Sequence, residues 1–318
     1  MGFSMNFTKL QAAGNDFILV ETSDTNRNWS PVAVAVCDRH FGVGADGLLL
    51  LLPSAMADFG MRIFNPDGSE AEACGNGLRC LAKYVVNRGL ADIGAQEVSV
   101  ETIAGIRKIK LHKEAIYQGK FEGASPLRNL HFPLSFEGEG DKGGEVVTIQ
   151  VSMGIPKLGA KDIPVAIAEG DRGLVDIKPM LSYTVRVEDR KLLLNFASIG
   201  NPHAVYFSQD PVADFPLSRI GPKVERLSIF PNRINFEVAR VVNRQRIEAR
   251  VWERGVGETL ACGSGACAIA VAAQLNGYID NKVDIKLPGG ILKVEWDGVG
   301  EIFLSGPAEI VFTGEWPD

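Results

Sequence analysis

The stretch RIFNPDGSEAEACGNGLRC at residues 62–80 returns in altered form as RVWERGVGETLACGSGACA at residues 250–268. The displacement is 188 positions, from 62 to 250, and the alignment has no gap. At that displacement Glu70 falls on Glu258, Ala73 on Ala261, Cys74 on Cys262, Gly75 on Gly263 and Gly77 on Gly265. Further on, Ala82 falls on Ala270 and Gly89 on Gly277. Gly14–Asn15 matches Gly200–Asn201 at 186, and Gly105–Ile106 matches Gly290–Ile291 at 185, small changes of the kind that loop lengths produce. Chance likeness of two strand–turn–helix units does not give a run of matches at one displacement. The chain therefore reads as two copies of one unit.

Each copy runs strand, polar turn, Ala-Cys-Gly-x-Gly, apolar helix. Helices are expected over 76–87 and 264–275, stopped by Gly89 and Gly277. The second is apolar on every side and must be buried. Short Val-, Ile-, Leu- and Phe-rich runs bounded by turn residues predict strands at 17–21, 47–52, 61–64, 97–101, 146–151, 204–207, 246–252, 282–286, 291–296 and 301–304. Many strands and few helices point to an α+β fold rather than regular βαβ winding. The Gly-rich, charged stretch FEGEGDKGGE at 136–145 reads as a linker, so a domain boundary is expected there. The two domains are then 1–135 and 136–305.

Cys74 and Cys262 are placed at helix N-termini, where unpaired N–H groups and the positive end of the helix dipole favour a thiolate. The flanking glycines leave N–H groups open to a carboxylate. Asn76 and Ser264 can each add a side-chain donor. A single buried cysteine is most simply a small hydrophobe, which is the reading for Cys37, Cys80 and Cys267. Two cysteines at equivalent capping positions are not explained that way. Copies facing each other across a pseudo-twofold axis aim one thiol at each face of a ligand. Two acid/base groups on opposite faces of one carbon suit stereoinversion. No lysine is identifiable as a pyridoxal-phosphate anchor, and no metal-ligand cluster is visible. The expectation is therefore no cofactor and no metal, with the carbanion held by donors and by exclusion of water.

Composition narrows the partners. The 318 residues carry a net charge of −6, 46% are hydrophobic, and the mean hydropathy is +0.05. An acidic chain is not expected to take nucleic acid or an anionic membrane as partner. Five cysteines are too sparse for a disulfide scaffold, and no leader or membrane span is visible. A reducing cytoplasm is the default. Gly42, Gly44 and Gly47 match a dinucleotide fingerprint in letters, but an aliphatic strand follows them instead of a helix, so they read as a turn.

The sequence resembles the diaminopimelate epimerase family over nearly its whole length. The resemblance rests on KLQAAGNDFILV (9–20), DRHFGVGADG (38–47), residues 62–80, GNPHAV (200–205), PNRINFE (231–237) and ERGVGETLACGSGACA (253–268). It implies two pseudo-symmetric domains, each a mixed barrel-like sheet around a central helix. It also implies a C-terminal strand, about 306–318, that returns to the first domain. The implied activity is interconversion of LL- and meso-diaminopimelate in lysine and peptidoglycan-precursor synthesis, without a cofactor. The family pattern puts the two bases at Cys74 and Cys262, with His203 and Glu253 tuning their protonation. It assigns Gly75, Asn76, Gly263 and Ser264 to the reacting head. Asn15, Asn65, Asn201, Asn235, Glu253 and Arg254 are assigned to the rest of the substrate. Gly47 stands where some members carry a side chain that touches substrate. The polar stretch at 168–191 is an expected insertion. The alternative is a related two-cysteine racemase for proline, hydroxyproline or histidine. The Asn and Arg set for a second zwitterionic head argues against it. A non-catalytic amino-acid binder and a redox sensor through a Cys74–Cys262 disulfide are the other readings. Partners are then the small-molecule substrate and, as an assembly, a homodimer.

Overall fold

The aliphatic runs build one continuous sheet whose two ends repeat the same pairing pattern. A computed structural model describes residues 4–71, 74–92, 97–114, 146–166, 179 and 181–317. The 136–145 stretch lies outside the described residues, as does much of 168–191. In chain order the elements are β1 (Ser4–Ala12), β2 (Asn15–Glu21), α1 (Ser30–Cys37), β3 (Gly47–Leu52), β4 (Phe59–Phe64), β5 (Glu70–Ala71), α2 (Gly75–Asn87), β6 (Glu97–Thr102), β7 (Gly105–Glu114) and β8 (Val146–Ser152). There follow β9 (Tyr183–Val187), β10 (Arg190–Ser198), β11 (Pro202–Phe207), α3 (Leu217–Glu225), β12 (Asn235–Asn243), β13 (Arg246–Glu253) and β14 (Gly257–Thr259). The chain ends with α4 (Gly263–Leu275), β15 (Lys282–Leu287), β16 (Gly290–Glu295), β17 (Phe303–Gly306) and β18 (Glu309–Pro317).

The pairing makes the duplication explicit. β2 runs parallel to β3, and β11 to β12. β4 runs parallel to β6, and β13 to β15. The remaining neighbours are antiparallel in both halves. Register matches too: Phe17 lies opposite Gly47 as His203 lies opposite Asn235. The halves join where β8 pairs with β17. After β8 the chain moves to β9, which pairs with β10; after β17 it moves to β18, which pairs with β1. Each half thus receives one edge strand by a crossing of the chain. Ile149 and Val151 of β8 pack with the core around α2.

Each sheet half curls around one helix. Leu78, Leu81, Ala82 and Val85 of α2 pack on Leu10, Leu49, Ile63, Val100 and Ile109. Ala266, Ile269, Ala270 and Ala273 of α4 pack on Val205, Ile247, Val251, Ile285 and Leu292. Each buried Leu or Ile there contributes about 1.5–3 kcal/mol by transfer from water. α1 covers the outer face of β2 and β3 through Ala33 and Val36. That explains why Gly47–Leu52, GLLLLL, is buried at every position instead of alternating. Gly89 and Gly277, just past α2 and α4, adopt φ of +68° and +75°, the left-handed turn that ends a helix and that glycine takes without strain. No helix among the described residues is long and apolar enough to cross a membrane.

Candidate active site

Cys74 and Cys262 are the N-caps of α2 and α4. Both have extended backbones, with φ/ψ of −144°/118° and −125°/116°. Each sulfur accepts the backbone N–H three residues on, Gly77 for Cys74 and Gly265 for Cys262, both at 3.4 Å. This is the bond a serine or aspartate makes at a helix start, with a thiol in its place. The two helix N-termini converge. A Cβ built on Gly263 would meet Leu304 Cδ2 at 2.9 Å, with Gly75 Cα only 3.9 Å away. A Cβ on Gly75 would meet the Met153 sulfur at 2.8 Å. Only glycine fits at both first turns, and its lack of a side chain lets the two helix starts come this close.

Burial governs the charge state. Desolvation raises the Cys74 thiol above its ordinary value, although the N–H groups of Gly77 and Asn76 and the Arg79 guanidinium pull it down. It raises Cys262 much further, and the Glu253 and Glu237 carboxylates add to the rise. The expectation that the helix ends would depress both thiols is therefore corrected. Two N–H···S contacts at 3.4 Å return less than the lost hydration costs. Burial also raises the Glu253 and Glu237 carboxyls. Hydrogen bonds from Thr259 and Cys262 oppose the rise at Glu253, and the His203 charge opposes it at Glu237.

The residues singled out above fall into two clusters and some outliers. Around Cys262, Ser264 Oγ lies 3.5 Å from the sulfur, and Glu253 accepts from Thr259 Oγ1 at 2.5 Å. Fully buried His203 sits between Glu237 Oε1 at 2.7 Å and Asn201 Oδ1 at 2.9 Å. Asn235 donates to the Pro202 carbonyl at 2.8 Å and accepts from the Arg254 N–H at 2.9 Å, so it holds two loops of the site together. The Arg254 guanidinium donates to the Asn232 carbonyl at 3.1 Å. Around Cys74, Asn76 donates to Asn15 at 2.9 Å. Asn65 bonds only within its own turn, to Ser69 and Gly68. Cys37, Cys80 and Cys267 are buried, and all five cysteines are unpaired.

Two residues of these clusters escape sequence reasoning. Glu237 is fully buried, and its Oε2 has no hydrogen-bond partner among the described residues. It stands inside PNRINFE, but its weight depends on His203 arriving from the neighbouring strand. Arg79, also fully buried, is hidden in a helix that reads as apolar.

A duplicated, barrel-like sheet with a cysteine capping the central helix of each half defines a class, the epimerase-like α+β proteins. Among solved structures the chain is similar in fold to a hydroxyproline epimerase from Agrobacterium vitis with bound trans-4-OH-L-proline. The TM-score is 0.67 at 12% identity, over 100% of this chain and 94% of that one. It is similar as well to a Bacillus anthracis phenazine biosynthesis protein of the PhzF family, with a TM-score of 0.66 at 18% identity, over 99% of both chains. Within the class the sequence is more specific. The diaminopimelate epimerase family pattern matches residues 7–122 and 195–311. Diaminopimelate epimerases of Pelotomaculum thermopropionicum and Acetivibrio thermocellus are 43% and 42% identical, over 98% of this chain and 99% and 98% of theirs. That of Methanococcus maripaludis is 39% identical over 98% of this chain and 99% of its own. The chain belongs to the diaminopimelate epimerase family.

Proposed function

We propose that this protein interconverts LL-2,6-diaminopimelate and meso-diaminopimelate by a two-base proton transfer between Cys74 and Cys262. The supporting observation is the pair of cysteines capping two helices that meet head to head. One sulfur, as thiolate, takes the α-proton from one face; the other, as thiol, gives its proton to the opposite face. The sum is one proton removed and one returned, with inversion at carbon. The reverse direction exchanges the roles.

The raised thiols fit this cycle. A thiolate formed in a dry site is a stronger base than one in water, and the thiol opposite is held protonated until it is needed. Glu253, whose carboxyl burial raises and whose charge raises the Cys262 thiol, can take that thiol's proton when it must act as base. The substrate carboxylate would lie on the N–H groups of the two helix starts, which stabilise the charge that develops as the α-proton leaves. Arg254, Asn201 and Asn235 would bind the distal head. The product feeds lysine and peptidoglycan-precursor synthesis. We place the enzyme, with its five free thiols, in a reducing cytoplasm, and as a homodimer, which sedimentation would check.

The deciding experiment follows deuterium from solvent into the α-carbon of LL-diaminopimelate, beside a panel of single-headed amino acids. Wash-in with diaminopimelate alone is the expected result. Exchange confined to proline, hydroxyproline or histidine would overturn the reading.

A further inference from the structure

Arg79, in the second turn of α2, is buried without an anionic partner among the described residues. Its Nε donates to the Pro307 carbonyl at 3.4 Å and its Nη2 to Asn76 Oδ1 at 2.7 Å. Its Nη1 has no hydrogen-bond partner among the described residues. A guanidinium stripped of water without a carboxylate is costly, and a methionine would fill the same volume at less cost. Packing therefore does not account for it.

The bonds leading away from it do. Arg79 donates to Asn76 Oδ1; Asn76 Nδ2 donates to Asn15 Oδ1 at 2.9 Å; Asn15 Nδ2 donates to Asp46 Oδ2 at 2.8 Å. Asp46 is itself anchored, by Arg39 Nη2 at 2.7 Å and by the Asp16 N–H at 3.1 Å. The chain begins at a group that can only donate and ends at one that can only accept. A side-chain amide can face either way, but here only one arrangement satisfies all three bonds. Turning Asn76 would set N–H against N–H at Arg79. Turning Asn15 would set oxygen against oxygen at Asp46. In the satisfied arrangement each amide oxygen accepts from its neighbour in the chain, and each amide has a second N–H beyond the one that the chain uses.

We propose that Arg79 and Asp46 are positioning residues that lock the Asn76 and Asn15 amides from opposite ends. The N–H groups that these two amides have left then favour a carboxylate at this half of the site. The identity of that carboxylate rests on the diaminopimelate reading; the orientation of the amides does not.

The test uses the full-length enzyme, labelled with nitrogen-15, and reads the side-chain amides without substrate. In Arg79→Met the Asn15 amide, which does not touch Arg79, should shift and lose protection from hydrogen exchange. In Asp46→Asn the Asn76 amide should do the same. KM for diaminopimelate should rise about tenfold in either variant, with kcat changed less than about threefold, and Arg79→Lys should recover most of the loss. The double variant should lose less than the product of the two single losses, because both act on one chain. Should Arg79→Met not fold, Asp46→Asn carries the test from the more exposed end. An unmoved distant amide, or losses that multiply, overturns the proposal. Coupled amides in a protein that does not turn over diaminopimelate would overturn the functional reading and leave the locked chain standing.

Discussion

Cys74 and Cys262 cap their helices with the same bond at the same distance, yet the walls behind them differ. Strand register makes Phe17, Gly47, Leu49 and Asn65 of the first half equivalent to His203, Asn235, Glu237 and Glu253 of the second. Where the second half has a buried imidazole and two carboxylates, the first has an aromatic ring, a glycine, a leucine and an amide. The reverse holds within the helices, where Arg79 stands at the position of Cys267. Glu253 raises both thiols, while the Arg79 charge lowers Cys74 and the Glu237 charge raises Cys262 further. Duplication supplies the matched caps, and divergence gives each sulfur its own electrostatics.

The largest effect should come from removing either sulfur. Cys74→Ala and Cys262→Ala should each slow epimerisation at least about 10³-fold, read as deuterium incorporation at the α-carbon. A variant retaining activity within tenfold of the parent would break the equivalence of the two caps.

The glycines after the caps sharpen the contrast. A Cβ on Gly265 would stand 3.0 Å from Glu237 Oε1, which His203 holds, and 3.3 Å from Cys262 Cβ. On Gly77 the nearest atom, at 3.1 Å, is the end of the Leu49 side chain, which can move. Gly265→Ala should cost about 1–3 kcal/mol in chemical denaturation. Gly77→Ala should be near neutral, since about 1 kcal/mol of helix propensity offsets the crowding.

The electrostatic difference has its own readout. Burial, with the Glu253 and Glu237 charges adding to it, holds the Cys262 thiol well above its ordinary value, so iodoacetamide should modify Cys74 at lower pH, mapped by mass spectrometry. Glu253→Gln removes a negative charge that raises both thiols, and should speed modification of Cys262 and, with it, of Cys74 near neutral pH. An unchanged rate would assign the rise to burial alone. The smallest effect concerns two matched ion pairs. Arg62 grips Glu70 at 2.6 and 2.9 Å, and Arg250 grips Glu258 at 2.8 and 3.0 Å. Arg250 also holds the Val212 and Phe215 carbonyls, each at 2.9 Å. Arg62→Ala should cost about 0.5–1 kcal/mol and Arg250→Ala about 1–3 kcal/mol in thermal unfolding.

Much of this was legible in the sequence because a repeat reads itself. The two cysteine-capped helices lie within one residue of their expected bounds, and each predicted strand has a counterpart. The elements that escaped have physical reasons. β1 carries Thr8 and Lys9, polar residues buried because Lys9 pairs with Asp16 at 2.5 Å and with the Gly44 carbonyl. Burial pushes the Asp16 carboxyl up, but bonds from Arg39 and Lys9 outweigh it and lower it to about 2. α1, SPVAVAVC, alternates β-branched and small residues and imitates a strand. α3 contains Pro222. The raised thiols were illegible because burial is a property of the closed site and not of the motif.

The two crossings of the chain have a mechanical meaning. A pair of lobes tied by one peptide can swing and twist freely. Here the lobes are tied twice, after β8 and after β17, and the strands that lead to the ties are themselves paired, Ser152 with Phe303 and Ile149 with Gly306. Two crossings beside a paired ladder restrain sliding and twisting of one half on the other more than a single crossing would. The approach of the two helix starts is thus carried by the threading of the backbone as well as by the glycines that let them meet.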